Sequence, residues 1–276
     1  MSTTRATLPA PSVFDPILDR FDRWRSRLLG DPAVPTLVHI THAKAGSTWI
    51  AGLLAELFPS RVAPRNRAVA ADGDLARHVF EPGRIYRAMF LSRQKFLLHP
   101  ELQDCLRFIV IRDLRDTLVS LYFSVKLSHP LDAEGRPPRH RAELQELGIE
   151  DGLLHLIEKE LPGAARMQES WVGQQEILLR YEDLLADGFP ILRGLFIDRF
   201  ALPVSEAALA RAFRRTHFES VYYRKLGEED VTSHGRTGVP GDWVNHFTPT
   251  VRRRFAEKFG PLLIATGYEK DSAWAD

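Results

Sequence analysis

The sequence predicts an α/β fold, a single domain in which a central parallel sheet is flanked by helices. Short runs rich in β-branched residues alternate with longer apolar stretches of helical spacing, which is typical of βαβ units. The chain has 276 residues, of which 44% are hydrophobic, enough for one sizeable core. Right-handed crossovers in such a fold place the loops after the strands along one sheet edge, where ligands bind.

An extension, residues 1–35, precedes the predicted domain at 36–270, and residues 271–276 form a tail. The extension is predicted to contain one short amphipathic helix, because its apolar residues recur at helical spacing and Pro32 and Pro35 follow them. These apolar residues are Phe14, Ile17, Leu18, Phe21 and Leu28.

Four strands and the helices between them account for the predicted domain. The strands are TLVHIT (36–41), RIYRAMFL (84–91), LRFIVIR (106–112) and EILLRY (176–181). A helix begins near Thr48, with Ser47 or Thr48 as its N-cap, and ends at Pro59. Further helices are predicted after residue 113 and at about 142–170, 189–200 and 205–215. Residues 60–83 and 129–141 are predicted to be irregular.

HAKAGSTW (42–49) joins the first strand to the first helix, and its composition suits an anion. The small residues Ala43, Ala45 and Gly46 let the backbone approach a phosphate or sulfate closely. The helix N-terminus adds its positive dipole end, and Lys44 adds a full charge with three donors. Lys44 precedes the glycine, so the loop is P-loop-like without being the nucleoside-triphosphate loop. By itself the loop is equally compatible with an ordinary β–α turn.

A second candidate anion site follows the third strand in VIRDLRDTLVSLYF (110–123). Arg112 stands at the strand end, and Ser120 lies less than two helical turns beyond Leu114. The two side chains could converge on one phosphate. Asp116 lies in the first helical turn, where a carboxylate is favoured, and a structural role is the preferred interpretation.

The composition sets further expectations. The net charge of +1 gives no overall drive toward nucleic acid. Cys105 is the only cysteine, which excludes an intrachain disulfide and fits a cytoplasmic location. No apolar run is long enough to cross a bilayer. No His, Cys or carboxylate cluster has metal-ligand spacing, so no metal is expected. The oligomeric state is not predicted.

These motifs resemble the sulfotransferases of the cytosolic type, which use 3′-phosphoadenosine-5′-phosphosulfate (PAPS). HAKAGSTW is similar to the family's 5′-phosphosulfate loop, P-K-S-G-T-T-W, with Ala43 in place of the proline and Ala45 in place of the first serine. VIRDLRDTLVSLYF is similar to its 3′-phosphate motif, with Asp113 and Leu114 in place of Asn-Pro. RYEDLLAD (180–187), THF (216–218) and GRTGVPGDWVNHFT (235–248) resemble three further family segments in the same order.

The resemblance implies a cofactor site and a reaction. It assigns PAPS binding to Lys44, Ala45, Gly46, Ser47, Thr48, Trp49, Arg112, Ser120, Tyr181, Thr216, Phe218, Arg236, Thr237 and Gly238. Trp49 and Phe218 would flank the adenine. Arg236 and the Gly238 backbone would close over the 3′-phosphate, although Thr237 replaces the family lysine. Lys44 would stabilise the leaving group while sulfuryl passes to a hydroxyl or amine of a small-molecule acceptor.

The general base is not specified, because the family's histidine after the second strand is absent from RIYRAMFLSRQKF (84–96). His129 is the first candidate, since it follows the 3′-phosphate helix at the expected acceptor edge. His42 and His99 come next, then His78, and a carboxylate is also possible. Two other functions stay open. One is a P-loop kinase or nucleotide-hydrolysing enzyme, and the other is an adenine-nucleotide-binding protein without catalysis.

Overall fold

The computed structural model describes residues 33–64, 79–132 and 134–275, together with Leu8, Asp15 and Arg20. Within them lies one four-stranded sheet of order β2-β1-β3-β4, in which every pairing is parallel. Its strands are β1 (Leu37–Thr41), β2 (Ile85–Met89), β3 (Leu106–Ile111) and β4 (Leu178–Arg180). The predicted fold class is confirmed. The apolar residues of the predicted N-terminal helix and the candidate His78 lie outside the described residues.

Helices cover the sheet and connect its strands. They are α1 (Ser47–Leu57), α2 (Arg93–Phe96), α3 (Leu114–Phe123), α4 (Arg141–Glu146), α5 (Ile149–Lys159), α6 (Leu161–Trp171), α7 (Tyr181–Arg193), α8 (Glu206–Thr216), α9 (Phe218–Tyr222) and α10 (Pro249–Ala265). Short π-helices span Ser124–Ser128 and Gly194–Arg199, and 3₁₀ turns span Pro100–Leu102, Asp242–Asn245 and Ala273–Ala275.

Two predicted elements differ from the structure. The helical region predicted at 142–170 is three helices, because Gly148 caps α5 in extended backbone and Pro162 lies in the first turn of α6. The strand predicted at 176–181 is shorter, since Tyr181 already begins α7. That helix therefore starts well before the predicted residue 189.

Both faces of the sheet are buried, as expected for a parallel sheet. Side chains alternate along β3, so Phe108 and Val110 pack into one core while Ile109 and Ile111 pack into another. The first core includes the buried face of α1, and the second includes Trp171 from α6. This packing holds the carboxyl ends of β1 and β3 side by side, and each is followed by a predicted anion-binding segment.

Candidate active site

The loop between β1 and α1 turns through left-handed backbone. Lys44 has φ of 68° and Gly46 has φ of 74°, and Gly46 caps α1 without any side-chain hydrogen bond. The predicted N-cap, Ser47 or Thr48, is therefore wrong: both residues lie inside the helix. Because no side chain caps α1, its first N–H groups are left to bind an anion. Within the loop, Ala45 is fully buried.

Gly46 is required by contact as well as by conformation. A Cβ atom at this position would lie 2.6 Å from Cδ2 of Tyr181, inside the van der Waals limit. The Tyr181 ring thus covers the loop, and the Arg112 guanidinium lies 4.9 Å from the centre of that ring. Two motifs far apart in sequence meet here at the carboxyl edge of the sheet.

We expect Gly46→Ala to destabilise the protein by roughly 2 kcal/mol or more, because it adds left-handed strain to a clash with Tyr181. The matched control is Gly52→Ala within the same helix. A Cβ there would meet Thr216 Cγ2 at 3.7 Å, an ordinary contact, so this change should be neutral or slightly stabilising. Thermal or urea unfolding of both variants tests the difference, and equal stabilities would contradict it.

Arg112 links the two predicted anion sites through the backbone. Its Nη1 atom donates to the Lys44 carbonyl at 2.9 Å, which holds the end of β3 against the loop after β1. Ser120 lies further along α3 and is half-buried. The convergence of Arg112 and Ser120 on one phosphate stays a prediction.

Lys44 lies close to two other cations. Burial, together with the positive charges of Arg112 and Arg236, lowers the pKa of Lys44 from an ordinary 10.5 to about 7. An anion bound among these three groups would offset their repulsion and favour the charged lysine. The arrangement suits a ligand that carries negative charge at more than one position.

Arg236 is buried and held by two carboxylates. Its Nη1 atom donates to Glu229 and its Nη2 atom to Asp242. Its guanidinium also lies 4.5 Å from the centre of the Phe123 ring. The neighbouring Thr237 is buried, and its carbonyl accepts a hydrogen bond from the Gly227 amide at 2.8 Å.

Asp116 ties the segment that carries Arg236 to α3. Its carboxylate accepts hydrogen bonds from the Gly241 amide at 2.6 Å and the Trp243 amide at 3.0 Å. The preferred structural interpretation of Asp116 agrees with this geometry. Burial raises the pKa of Asp116, against the lowering effects of Arg112 and of the two backbone donors.

The predicted adenine-binding aromatics lie on α1 and at the junction of α8 and α9. Trp49 packs edge-on against Tyr181, Phe213 and His217, with ring centres 5.8–6.3 Å apart. Phe218 packs against Tyr222 and lies directly beside Gly238, where a Cβ atom would be 2.8 Å from its ring. The Thr216 hydroxyl donates to the Ala212 carbonyl at 2.9 Å within its own helix.

Two of the candidate bases are buried. His42 Nδ1 donates to the Ala43 carbonyl at 2.9 Å, and its Nε2 accepts from the Arg112 amide at 3.3 Å and from Gln168 at 2.8 Å. Burial lowers its pKa to about 4. Both nitrogens of His42 are thus engaged, and Nε2 joins the residue after β1 to the residue after β3. His99 is also buried, with Nδ1 3.5 Å from Glu101.

His129 is exposed and lies near the start of α1. Its ring centre is 6.3 Å from that of His234, whose Nε2 lies 3.5 Å from the Thr48 hydroxyl. The backbone of His129 is fixed by its own amide, which donates to Ser124 O at 2.7 Å, and by Arg141, which donates to its carbonyl at 2.5 Å. The first candidate base therefore lies next to His234, which contacts Thr48 at the start of α1.

Several buried donors in this region have no hydrogen-bond partner among the described residues. They are Nε of Arg112, Nε of Arg236 and Nε1 of Trp49. Buried donors are almost always paired, so donors left open at a predicted ligand site indicate what the ligand supplies. Acceptor oxygens of phosphate groups fit the two arginines. The residues present therefore fit a phosphorylated nucleotide.

Sequence reasoning missed three members of this region: Glu229, Asp242 as a partner of Arg236, and His234. Asp242 lies within GRTGVPGDWVNHFT (235–248), where the sequence resemblance assigns it no role. Its spacing to His246 is one helical turn, and their side chains are 3.1 Å apart, so the pair was open to detection. Glu229 and His234 lie in an irregular segment without periodicity, and no sequence signal marks them.

Comparisons with known proteins identify the fold. No family model matches the chain. Sulfotransferase 1C2 from Homo sapiens is 24% identical over 274 residues, which cover 89% of this chain and 88% of that protein. The crystal structure of mouse sulfotransferase SULT7A1 complexed with PAP superposes with a TM-score of 0.57 at 16% identity, covering 84% of this chain and 86% of the other. The crystal structure of a retinol dehydratase in complex with androsterone and inactive cofactor PAP superposes with a TM-score of 0.51 at 14% identity, covering 83% of this chain and 80% of the other.

The fold places the anion-binding loop at the carboxyl edge of a parallel α/β sheet. The chain shares its fold with the mouse sulfotransferase structure, and the comparisons agree with the resemblance drawn from the motifs. Among the described residues, none of the helices has the length and apolar character to cross a membrane. The same residues include no group of three or more His, Cys, Asp or Glu placed to hold a metal ion.

Proposed function

We propose that the protein is a PAPS-dependent sulfotransferase. It transfers the sulfuryl group to a hydroxyl or amine of a small-molecule acceptor and releases adenosine 3′,5′-bisphosphate (PAP). The observation that carries the proposal is the meeting of Lys44, Arg112 and Arg236 around an anion-binding loop at the carboxyl edge of the sheet. The sulfotransferase relative and the two PAP-bound neighbours support it.

The cofactor binds between the ends of β1 and β3 and the segment that carries Arg236. Lys44, Ser47, Thr48 and the α1 N-terminus hold the 5′-phosphosulfate through charge and backbone donors. Arg112, Ser120 and Arg236, with the backbone of Thr237 and Gly238, hold the 3′-phosphate. The other predicted contacts, Ala45, Gly46, Trp49, Tyr181, Thr216 and Phe218, shape the loop and surround the adenosine.

Catalysis follows from position and charge. Lys44 donates to the oxygen that bridges phosphate and sulfate and stabilises the negative charge that develops there. His129 takes the proton from the acceptor hydroxyl, because it is the exposed candidate beside the loop while His42 and His99 are buried. Arg141 fixes the His129 backbone and so acts as a positioning residue.

The remaining features of the proposal follow the same chemistry. The three cations and the helix end supply the charge that a metal would otherwise provide, so transfer proceeds without a metal. The location is cytoplasmic, and nucleic acid is not a partner. A kinase is not favoured by any specific observation, since Lys44 precedes Gly46 instead of following it.

The test is to incubate the protein with PAPS and a panel of phenols, alcohols, sugars and amines, and to detect products by mass spectrometry. Sulfated product together with stoichiometric PAP is the expected result. In parallel, thermal shifts with PAP and ATP separate the candidates, since PAP should raise the melting temperature more. Stabilisation by ATP alone would point to a kinase, and PAP binding without any sulfated product would point to a binding protein.

A further inference from the structure

The two carboxylates that hold Arg236 differ in how firmly they are placed. Asp242 is nearly buried, and it also accepts from Asn245 at 3.0 Å and from His246 at 3.1 Å. The hydrogen bond from His246, together with Arg236 and Asn245, holds the pKa of Asp242 well below its usual range. Asp242 is therefore a fixed anion that orients the Arg236 guanidinium.

Glu229 is the movable partner. Its side chain is 48% exposed, and Arg236 is its hydrogen-bond partner among the residues that the structure describes. It lies in an irregular segment between α9 and the 3₁₀ turn at Asp242–Asn245. Releasing this carboxylate costs one partly exposed ion pair, and water can solvate both the freed side chain and its segment.

The charge around Arg236 is low for a site that binds a dianion. Thr237 stands where the sulfotransferase motif has a lysine, and Glu229 and Asp242 together offset more than the single charge of Arg236. One phosphate oxygen can accept from the open Nε of Arg236, but a second oxygen at Nη1 would meet the Glu229 carboxylate at the same donor. Two anions cannot share that donor without strong repulsion.

We propose that Glu229 is a specificity-determining residue, because its carboxylate competes with the 3′-phosphate of the nucleotide for Arg236. This competition weakens the binding of 3′-phosphorylated nucleotides, and so reduces the preference for them over adenine nucleotides with a free 3′-hydroxyl. The inference rests on the proposed function, since it assumes that the 3′-phosphate binds at Arg236. Binding of PAPS or PAP displaces Glu229 into solvent while Asp242 stays in place. A nucleotide without the 3′-phosphate leaves the Glu229–Arg236 pair intact.

The test compares Glu229→Gln with the wild-type protein by isothermal titration calorimetry, using PAP and adenosine 5′-monophosphate as ligands. The variant should bind PAP about 10-fold more tightly, as expected when one charge-assisted competitor is removed. Its affinity for adenosine 5′-monophosphate should change less than about twofold, because that ligand does not reach Arg236. Glu229→Ala should behave in the same way.

The matched control is Glu228→Gln, which removes the same charge one residue earlier. The Glu228 side chain is exposed and accepts from the Lys225 amide at 3.2 Å instead of meeting Arg236. PAP affinity equal to wild type in Glu229→Gln, or an equal gain for both nucleotides or for Glu228→Gln, would overturn the inference. Those results leave the proposed function standing, whereas a wild-type protein that neither binds PAP nor forms sulfated product overturns that function itself.

Discussion

Lys44→Ala is expected to lower the rate of sulfuryl transfer by about 10²–10³-fold, the loss typical of removing one preorganised donor that faces developing charge. The effect should fall mainly on kcat, because the charge on the leaving phosphate grows only as the bond to sulfur breaks. Initial rates with saturating PAPS and a responsive acceptor measure it. Lys225→Ala is the control, since Lys225 is exposed and its side chain is assigned no role. Near-normal transfer by Lys44→Ala would refute the assignment.

The pKa of Lys44 adds a pH dependence to the same experiment. In the free protein this pKa is lowered to about 7, and bound anions raise it by favouring the charged amine. Above pH 7 the protein must therefore take up a proton as PAP binds, and PAP affinity should fall as the pH rises from about 7 toward the pKa of the complex.

Calorimetry in buffers of different ionisation enthalpy measures this proton uptake directly. Lys44→Arg keeps the charge across this range and should bind PAP with little pH dependence. A wild-type affinity that stays constant between pH 7 and 9 would show that Lys44 is already charged in the free protein.

His129→Asn is expected to lower turnover by about 10²–10⁴-fold while PAP affinity stays within a fewfold of wild type. Asparagine preserves the size and polarity of the side chain but cannot accept the proton of the acceptor hydroxyl. Rates with a fixed acceptor and calorimetry with PAP separate the two quantities. The main-chain bonds of His129 to Ser124 and Arg141 do not involve its ring, so the fold should be retained.

The neighbouring His234 provides the decisive comparison. Its ring lies 6.3 Å from that of His129, and its Nε2 is near the Thr48 hydroxyl. Loss of turnover in His234→Asn with normal turnover in His129→Asn would transfer the role of base to His234. Normal turnover in both would leave a carboxylate as the base and remove His129 from the mechanism.

Local sequence predicted the sheet because β-branched runs and helical periodicity agree over most of the chain. It was less accurate at element ends. The N-cap of α1 is Gly46, because the left-handed turn through Lys44 places the glycine at the cap and draws Ser47 into the helix. The short strand β4 ends before Tyr181, and the Tyr181 ring packs against Gly46.

The sequence by itself determined the parallel α/β sheet and predicted the residues of a cofactor site, because each motif that carries these residues is contiguous in sequence. Only the tertiary structure decided which histidine is buried between β1 and β3 and which lies beside the loop. It alone decided that Asp242 and Glu229 share Arg236. Burial, pKa and ion pairing depend on residues distant in sequence, so local patterns cannot specify them.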